Sequence, residues 1–243
     1  MEHETYAGMA QHDSTHWWYV ARRDVLASVI TNQVKLPPTP MILEIGCGTG
    51  HNLAMLSRFG NIDAVELDDY ARGVASERFG RPVTNAMLPE LAGIPNNHYD
   101  LVALLDVLEH VEDDRAALKA IMARLRPGGS LLLTVPQYPW MWTGHDAASH
   151  HFRRYTKATL RKVVEEAGLK LDLLQSFNSL LFPLAVVDRF AARVTKRSGS
   201  DDNPPPSPIN TLFTKVFAFE RHLIGRVPMP PGLSLIALAS ARP

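Results

Sequence analysis

The residues most able to do chemistry begin with Glu44-Ile45-Gly46-Cys47-Gly48-Thr49-Gly50, a glycine-rich turn directly after an apolar run. Glycine suits such a turn because it adopts positive φ without strain and lets the backbone approach a ligand closely. A turn of this kind at the carboxyl end of a strand is where open α/β sheets bind their ligands. The dinucleotide fingerprint would require a further glycine where His51 stands, which disfavours a nicotinamide cofactor. No Lys-Ser or Lys-Thr pair follows at the spacing of a phosphate-binding loop, so triphosphate hydrolysis is unsupported. Glu66 lies 20 residues after Gly46, at the end of a second apolar run. A carboxylate there can accept hydrogen bonds from both hydroxyls of a ribose, which suits adenosine. Asp68 and Asp69 read instead as the N-cap and first-turn charge of the next helix.

A second group is Asp106, Glu109 and His110. If a helix begins at Asp106, the three share one face, and two carboxylates and an imidazole converge as they would on a divalent metal. The alternative is that Glu109 and His110 bond to nearby backbone and shape a pocket floor, and we assign no metal. A third group runs through Tyr138, Trp140, Trp142, His145, Asp146, His150, His151, Arg153, Arg154 and Tyr155. Aromatic rings supply apolar walls for an organic acceptor, and a histidine can take a proton from it. Each histidine has a plainer reading as a hydrogen-bonded loop residue. Arg153 and Arg154 either receive an anionic substrate or stand solvated at a helix entry.

The elements that must position these groups are legible as an alternation of short apolar runs with helical patterns, the signature of an α/β fold with a parallel sheet. Strands are expected at residues 41–45, 62–67, 82–84, 99–105, 130–135, 169–177 and 233–239, and helices at 52–59, 69–79, 113–125 and 156–167. We read the whole chain, 1–243, as one domain: an N-terminal arm (1–35), a cofactor-binding core (41–177), a helical insertion (178–232) and a last strand (233–243). Arm and insertion are both candidate lids. The arm carries His16-Trp17-Trp18-Tyr19 beside Arg22 and Arg23, where Trp17 and Trp18 also suit a hydrophobic staple. The insertion includes SGSDDNPPPSP, an exposed loop between two helices by composition.

With these residues in view, ILEIGCGTG, AVELD, TNAMLP, YDLVALLDVLEHVED and LRPGGSLLLTVP resemble successive motifs of class I S-adenosylmethionine-dependent methyltransferases. The resemblance implies a Rossmann-like, doubly wound, seven-stranded sheet, mostly parallel with the last strand reversed. It implies S-adenosylmethionine as cofactor, with Gly46, Cys47, Gly48 and Gly50 beneath its methionine part and Glu66 on the ribose. Leu67, Asn85, Ala86, Leu105 and Asp106 would line the same site, with Asn85 near the adenine amine in place of a frequent Asp. Glu44 would reach the cofactor's amino group through water, or else it is a structural acid bonded to nearby backbone. The segment Asp106 to His110 is similar to that of ubiquinone-pathway O-methyltransferases, in which an acid-x-x-Glu-His segment can carry a metal. In those enzymes an arginine about twenty residues before the glycine turn meets the cofactor carboxylate, and Arg22 is nearest to that role. HHFRRYTKATL resembles a segment of many small-molecule methyltransferases, and His151 matches its histidine best. His151 is thus one candidate catalytic base, with His110 its competitor.

Composition narrows the acceptor. Lys plus Arg and Asp plus Glu number 25 each, so no net positive field gathers nucleic acid. A small-molecule acceptor, most simply one offering a hydroxyl, is expected. The single cysteine and the lack of a leader-like start point to the cytosol. No apolar run approaches the roughly 20 residues of a transmembrane span. Leu184, Val187 and Val194 with Arg189, Arg193, Lys196 and Arg197, then Leu212, Val216, Phe219 and Leu223, suit two amphipathic helices. Those helices either touch a membrane carrying a lipid-linked or glycan acceptor, or pack on the domain of a monomer or homodimer. The remaining rivals are aminopropyl transfer, disfavoured by the basic aromatic loop, and non-catalytic S-adenosylmethionine binding.

Overall fold

The computed structural model describes residues 3–195 and 204–241; the side chains of residues 3–5, 145 and 192–195 also lie outside the description. In chain order the elements are α1 (His3–His12), α2 (Trp17–Gln33), β1 (Met41–Ile45), α3 (Leu53–Leu56), β2 (Asn61–Val65), α4 (Asp69–Phe79), β3 (Tyr99–Leu105) and α5 (Asp114–Arg124). Then follow β4 (Leu125–Pro136), α6 (Gly144–Ala148), α7 (Lys157–Glu166), β5 (Leu169–Phe177), α8 (Phe182–Thr195), α9 (Ser207–Phe219) and β6 (Ser234–Ala241). Short 3-10 helices occupy Leu108–His110, Pro139–Met141 and Glu220–His222.

The strands form one six-stranded sheet in the order β2-β1-β3-β4-β6-β5. β2, β1, β3 and β4 pair in parallel, and β6 runs antiparallel to both β4 and β5. Central strands of such a sheet are covered on both faces, which is why β1 and β3 are mostly apolar, Glu44 and Asp100 apart, rather than alternating. One face carries Leu43, Val102 and Leu133 beneath Leu118 of α5 and Leu160 of α7. The other carries Ile42, Leu101 and Leu132 beneath Val25 and Leu26 of α2 and Phe217 of α9. All the parallel strands therefore present their carboxyl ends at one edge, where the glycine turn, Glu66 and Asp106 emerge.

The expected seven strands become six among the described residues. At 82–84 only a single bridge forms, between Thr84 and Val65. Pro82 has no N–H to give a ladder, and Arg81, Pro82 and Thr84 are exposed at the rim beyond β2. The helix expected over 52–59 shortens to Leu53–Leu56. Asp68 does cap α4, its side chain accepting from Ala71 N at 2.9 Å, and Gly80 closes that helix in the left-handed region. Asp69 supplies the acid of the first turn.

Arm and insertion pack against each other. The Trp17 ring lies 5.6 Å from Phe213 and 6.1 Å from Phe217 of α9. Asn210 accepts from Trp17 N at 2.9 Å and donates to Thr15 O at 2.8 Å. Trp17 is accordingly a packing residue, whereas Trp18 lies under the Arg22 guanidinium at 5.0 Å. α1 is held to α4 by Arg78, which pairs with Asp13 and donates to Ala10 O at 2.7 Å. Of the insertion's basic residues, Arg193, Lys196 and Arg197, like Val194, have side chains outside the described residues, as does His145.

Candidate active site

The three glycines after β1 are needed for different reasons. All have positive φ. A Cβ on Gly46 would stand 2.6 Å from Val107 Cγ2, and one on Gly50 would stand 3.1 Å from the Ala75 backbone, so both serve close packing. Beside Gly48 there is nothing within 4 Å of such a Cβ, and the space there is open. Gly48 N donates to Glu66 Oε2 at 2.7 Å, and Asp68 N donates to Glu66 Oε1 at 3.0 Å. Glu66 thus seats the turn by which it stands. A carboxylate offers about four lone-pair sites, so two remain for hydroxyl donors.

Glu66 N donates to Thr84 O at 3.0 Å, which brings residues 84–87 alongside the end of β2. There Asn85 is exposed, Ala86 is buried, and Leu67 and Met87 are 54% and 50% exposed. Two large apolar side chains bared on adjoining loops are suited to flank a flat ring. Tyr6 of α1 lies near the same turn: burial, and then the charges of Glu66 and Asp68, push its phenol upward. Cys47 is buried, and burial keeps its thiol protonated.

Glu44 and Arg22 lie deeper. Glu44 Oε1 accepts from Asn52 Nδ2 at 2.8 Å, while Oε2 has no hydrogen-bond partner among the described residues. Burial pushes its carboxyl up to about 7, against the opposing effects of Asn52 and Arg22. Between its ordinary value of 4.5 and about 7, the folded chain holds a proton on Glu44 that the unfolded chain lacks. This group's contribution to stability therefore falls as pH rises through that window. Urea unfolding of Glu44→Gln across the same range should show a smaller decline with rising pH than the wild type; parallel curves would place the titration elsewhere.

Arg22 is 2% exposed, pairs with Asp106, and donates to Thr134 Oγ1 at 2.9 Å, its Nε lacking a partner among the described residues. Asp106 takes φ +58°, an uncommon conformation for a side-chain-bearing residue and one that clusters at functional sites. Leu105 beneath it is buried.

Asp106 does not begin a helix. Only Leu108–His110 forms a 3-10 turn, so the expected common face of Asp106, Glu109 and His110 is replaced by another grouping. Asp106 turns to Arg22, and His151 joins Glu109 and His110: each of these three offers one ligand-type atom, all within 4.8 Å of one another. Phe152 N donates to Glu109 O at 2.8 Å, which ties the two segments together. The imidazoles of His110 and His151 meet edge to face, 4.5 Å between centroids. Glu109 is buried with Oε2 unpartnered among the described residues, and burial followed by Asp106 raises its carboxyl well above the ordinary range. Burial and then His151 lower His110 to about 4, so it is neutral near pH 7.

Tyr155 is not a wall of this pocket. It is 2% exposed in the core between β4 and α7, with its hydroxyl donating to Asp114 at 2.9 Å. Trp140 and Trp142 remain exposed at 49% and 39%. Arg153 pairs with Asp114 at 2.8 Å and Arg154 with Asp146 at 2.7 Å, so both are engaged within the protein. A cavity of about 740 Å³ lies beside Gly50 and His51, with Arg23, Arg58, Arg78 and Phe79; neither Glu66, Asp106 nor His151 lines it. Thr134, Asn52 and Tyr6 carry no signal in the sequence, because nothing local marks a β-strand threonine or an arm tyrosine as facing a site.

The family model for the methyltransferase domain matches residues 15–174. Over 138 residues the chain is 30% identical to a trans-aconitate 2-methyltransferase from Azoarcus sp., covering 56% of this chain and 50% of that protein. Over 101 residues it is 35% identical to a mitochondrial ubiquinone biosynthesis O-methyltransferase from Schizosaccharomyces pombe, covering 38% and 36% respectively. These matches span half or less of those relatives' length. Among solved structures, a SAM-dependent methyltransferase from Archaeoglobus fulgidus superposes with a TM-score of 0.55 at 15% identity, over 90% of this chain and 94% of that one. A TehB-like SAM-dependent methyltransferase from Corynebacterium glutamicum gives 0.58 at 16% identity over 100% of both chains. At such identities the likeness is one of fold: an α/β methyltransferase fold with, here, a six-stranded mixed sheet.

Proposed function

The chain belongs to the methyltransferase-domain family, and from that premise we propose that it binds S-adenosylmethionine and transfers its methyl group to a hydroxyl of a small organic acceptor. The observation that carries the reading is the open space beside Gly48, whose N–H is held by Glu66, a buried carboxylate with acceptor sites to spare. The residues present fit the cofactor in its other parts too. Leu67 and Met87 flank the adenine with Asn85 and Ala86 at its edge. Glu44 Oε2 and Arg22 Nε, two buried polar atoms without partners among the described residues, suit an ammonium and a carboxylate. Cys47, Gly46, Gly50, Leu105 and Asp106 complete the surround.

The bound cofactor supplies a methyl carbon already activated by a sulfonium, so this chain's residues are left with alignment, exclusion of water and removal of a proton. Of these, proton removal falls to the Glu109, His110 and His151 cluster just beyond Asp106. His151 is the group we assign to take the hydroxyl proton, and His110, neutral and adjacent, supports it. Calorimetry tests the binding half: S-adenosylmethionine and its demethylated product should bind, and NAD should not. NAD binding with no response to S-adenosylmethionine overturns the reading.

A second acceptor class has its own observation. On α8, Leu184, Val187 and Phe190 are 51%, 64% and 54% exposed, and Phe182 at its start lies 6.5 Å from the Trp140 ring. Such a face beside the acceptor loop favours a lipid-linked acceptor presented at a membrane surface. No helix among the described residues is long and apolar enough to cross a membrane. A screen from phenols to glycans and polyprenyl compounds, read by labelled methyl transfer, separates the two classes; no transfer to any of them leaves a non-catalytic binder.

A further inference from the structure

Asp146 sits at the centre of the acceptor loop with no exposed surface. Its Oδ1 accepts from His151 Nδ1 at 2.9 Å and from Arg154 Nε at 2.7 Å. Its Oδ2 accepts from Arg154 Nη2 at 3.0 Å, Thr143 N at 2.7 Å and Thr143 Oγ1 at 2.8 Å. Its own carbonyl accepts from His151 N at 2.9 Å. One side chain therefore ties together both ends of the segment from Thr143 to Arg154. Burial by itself would raise the Asp146 carboxyl, but the bonds from His151, Arg154 and Thr143 outweigh it and hold the group well below the ordinary carboxylate range.

An ionised carboxylate can only accept. Opposite it, a neutral His151 must carry its proton on Nδ1, which leaves the lone pair on Nε2. Among the described residues, the other charged or titratable groups at His151 include Arg154 from the same segment, and His110 and Glu109 from the 3-10 turn after β3. The backbone of Ser149, within the stretch that Asp146 anchors, acts on the His110 ring and opposes the lowering by burial.

We propose that Asp146 is the positioning residue of the acceptor site: it fixes the Nδ1–H tautomer and the ring orientation of His151 and, through Ser149, seats His110. Asp146 touches neither acceptor nor cofactor in this scheme. Arg154 keeps it ionised, and Thr143 closes its remaining acceptor sites. The inference rests on the assignment of His151 as the group that takes the proton, but its structural half stands on the carboxylate alone.

The experiment is nitrogen NMR of the histidine rings in the full chain, paired with methyl-transfer rates. In the wild type, neutral His151 should carry its proton on Nδ1; a proton on Nε2 overturns the proposal without recourse to any variant. In Asp146→Asn the amide can present its NH2 to Nδ1, so the tautomer should switch. Turnover should then drop about 100-fold or more, with S-adenosylmethionine affinity unchanged. Asp146→Glu should restore the Nδ1–H form and part of the rate. An Asn variant with wild-type tautomer and wild-type turnover overturns the proposal. So does zinc that ligates both rings and raises turnover, because His151 would then act as a ligand. A tautomer switch in a chain that transfers methyl to no acceptor would support the positioning role and sink the catalytic assignment instead.

Discussion

Replacing His151 with alanine is expected to lower methyl transfer about 100-fold or more while leaving S-adenosylmethionine affinity nearly intact. The expectation follows from where the ring stands. His151 lies in the acceptor loop and meets His110, whereas the proposed cofactor contacts come from the β1 turn, the end of β2 and Arg22. An imidazole must be neutral to accept a proton, so the wild-type rate should climb with pH along a limb that His151→Ala lacks. The competing assignment is separable by the position of that limb. His110 is lowered to about 4 by burial and by His151, so a limb that belonged to His110 would lie near pH 4. Full activity in His151→Ala beside a collapse in His110→Ala would move the proton transfer to the end of β3 and leave the HHFRRYT segment a binding role.

The cofactor half of the candidate site and the acceptor half differed in how far they could be read from sequence, and the reason is contact range. Gly46, Gly48 and Glu66 sit on consecutive strand ends, so spacing along the chain translates into proximity as soon as the strands are placed. Residues 99–105 and 169–177 have the bounds that β3 and β5 take: β3 announces itself because both its faces are covered, and β5, at the sheet edge with Lys170 and Asp172 exposed, because it is bounded by Gly168 and the loop after Phe177. The strand at 82–84 failed for a local reason, the missing N–H of Pro82 at the sheet rim. The acceptor half depends on joining residues 109–110 to residue 151 across β4, and no periodicity encodes that. Hence sequence spacing groups Asp106 with Glu109 and His110, although its left-handed backbone turns it toward Arg22. The aromatic character of Tyr155 suits a pocket wall, but the chain returns along the end of β4 there, with Tyr155 N donating to Pro136 O at 2.9 Å, and buries the ring. Asp146 was visible only as one polar residue among several. Its weight comes from Thr143, His151 and Arg154 closing on it, a loop geometry without a repeat.

Glu66→Ala is expected to weaken S-adenosylmethionine binding by about 1.5 to 3 kcal/mol, the scale of losing charge-assisted hydrogen bonds to buried groups. Two effects add in this chain. The variant removes the acceptor for the ribose hydroxyls, and it also frees Gly48 N and Asp68 N, which Glu66 now holds at 2.7 and 3.0 Å. Gly48 would then keep its left-handed conformation with one restraint fewer, so part of the lost affinity should appear as a slower or more variable cofactor on-rate. Glu66→Gln separates the contributions. Its amide oxygen keeps two of the acceptor sites, enough for one backbone N–H and one hydroxyl, while its NH2 cannot accept at all. Calorimetry should therefore rank wild type above Glu66→Gln and Glu66→Gln above Glu66→Ala. Equal affinity in all three would remove Glu66 from the ribose and reduce it to a clasp for the glycine turn. A Gln variant as weak as Ala would instead mean that the negative charge, and not the number of acceptor sites, carries the binding.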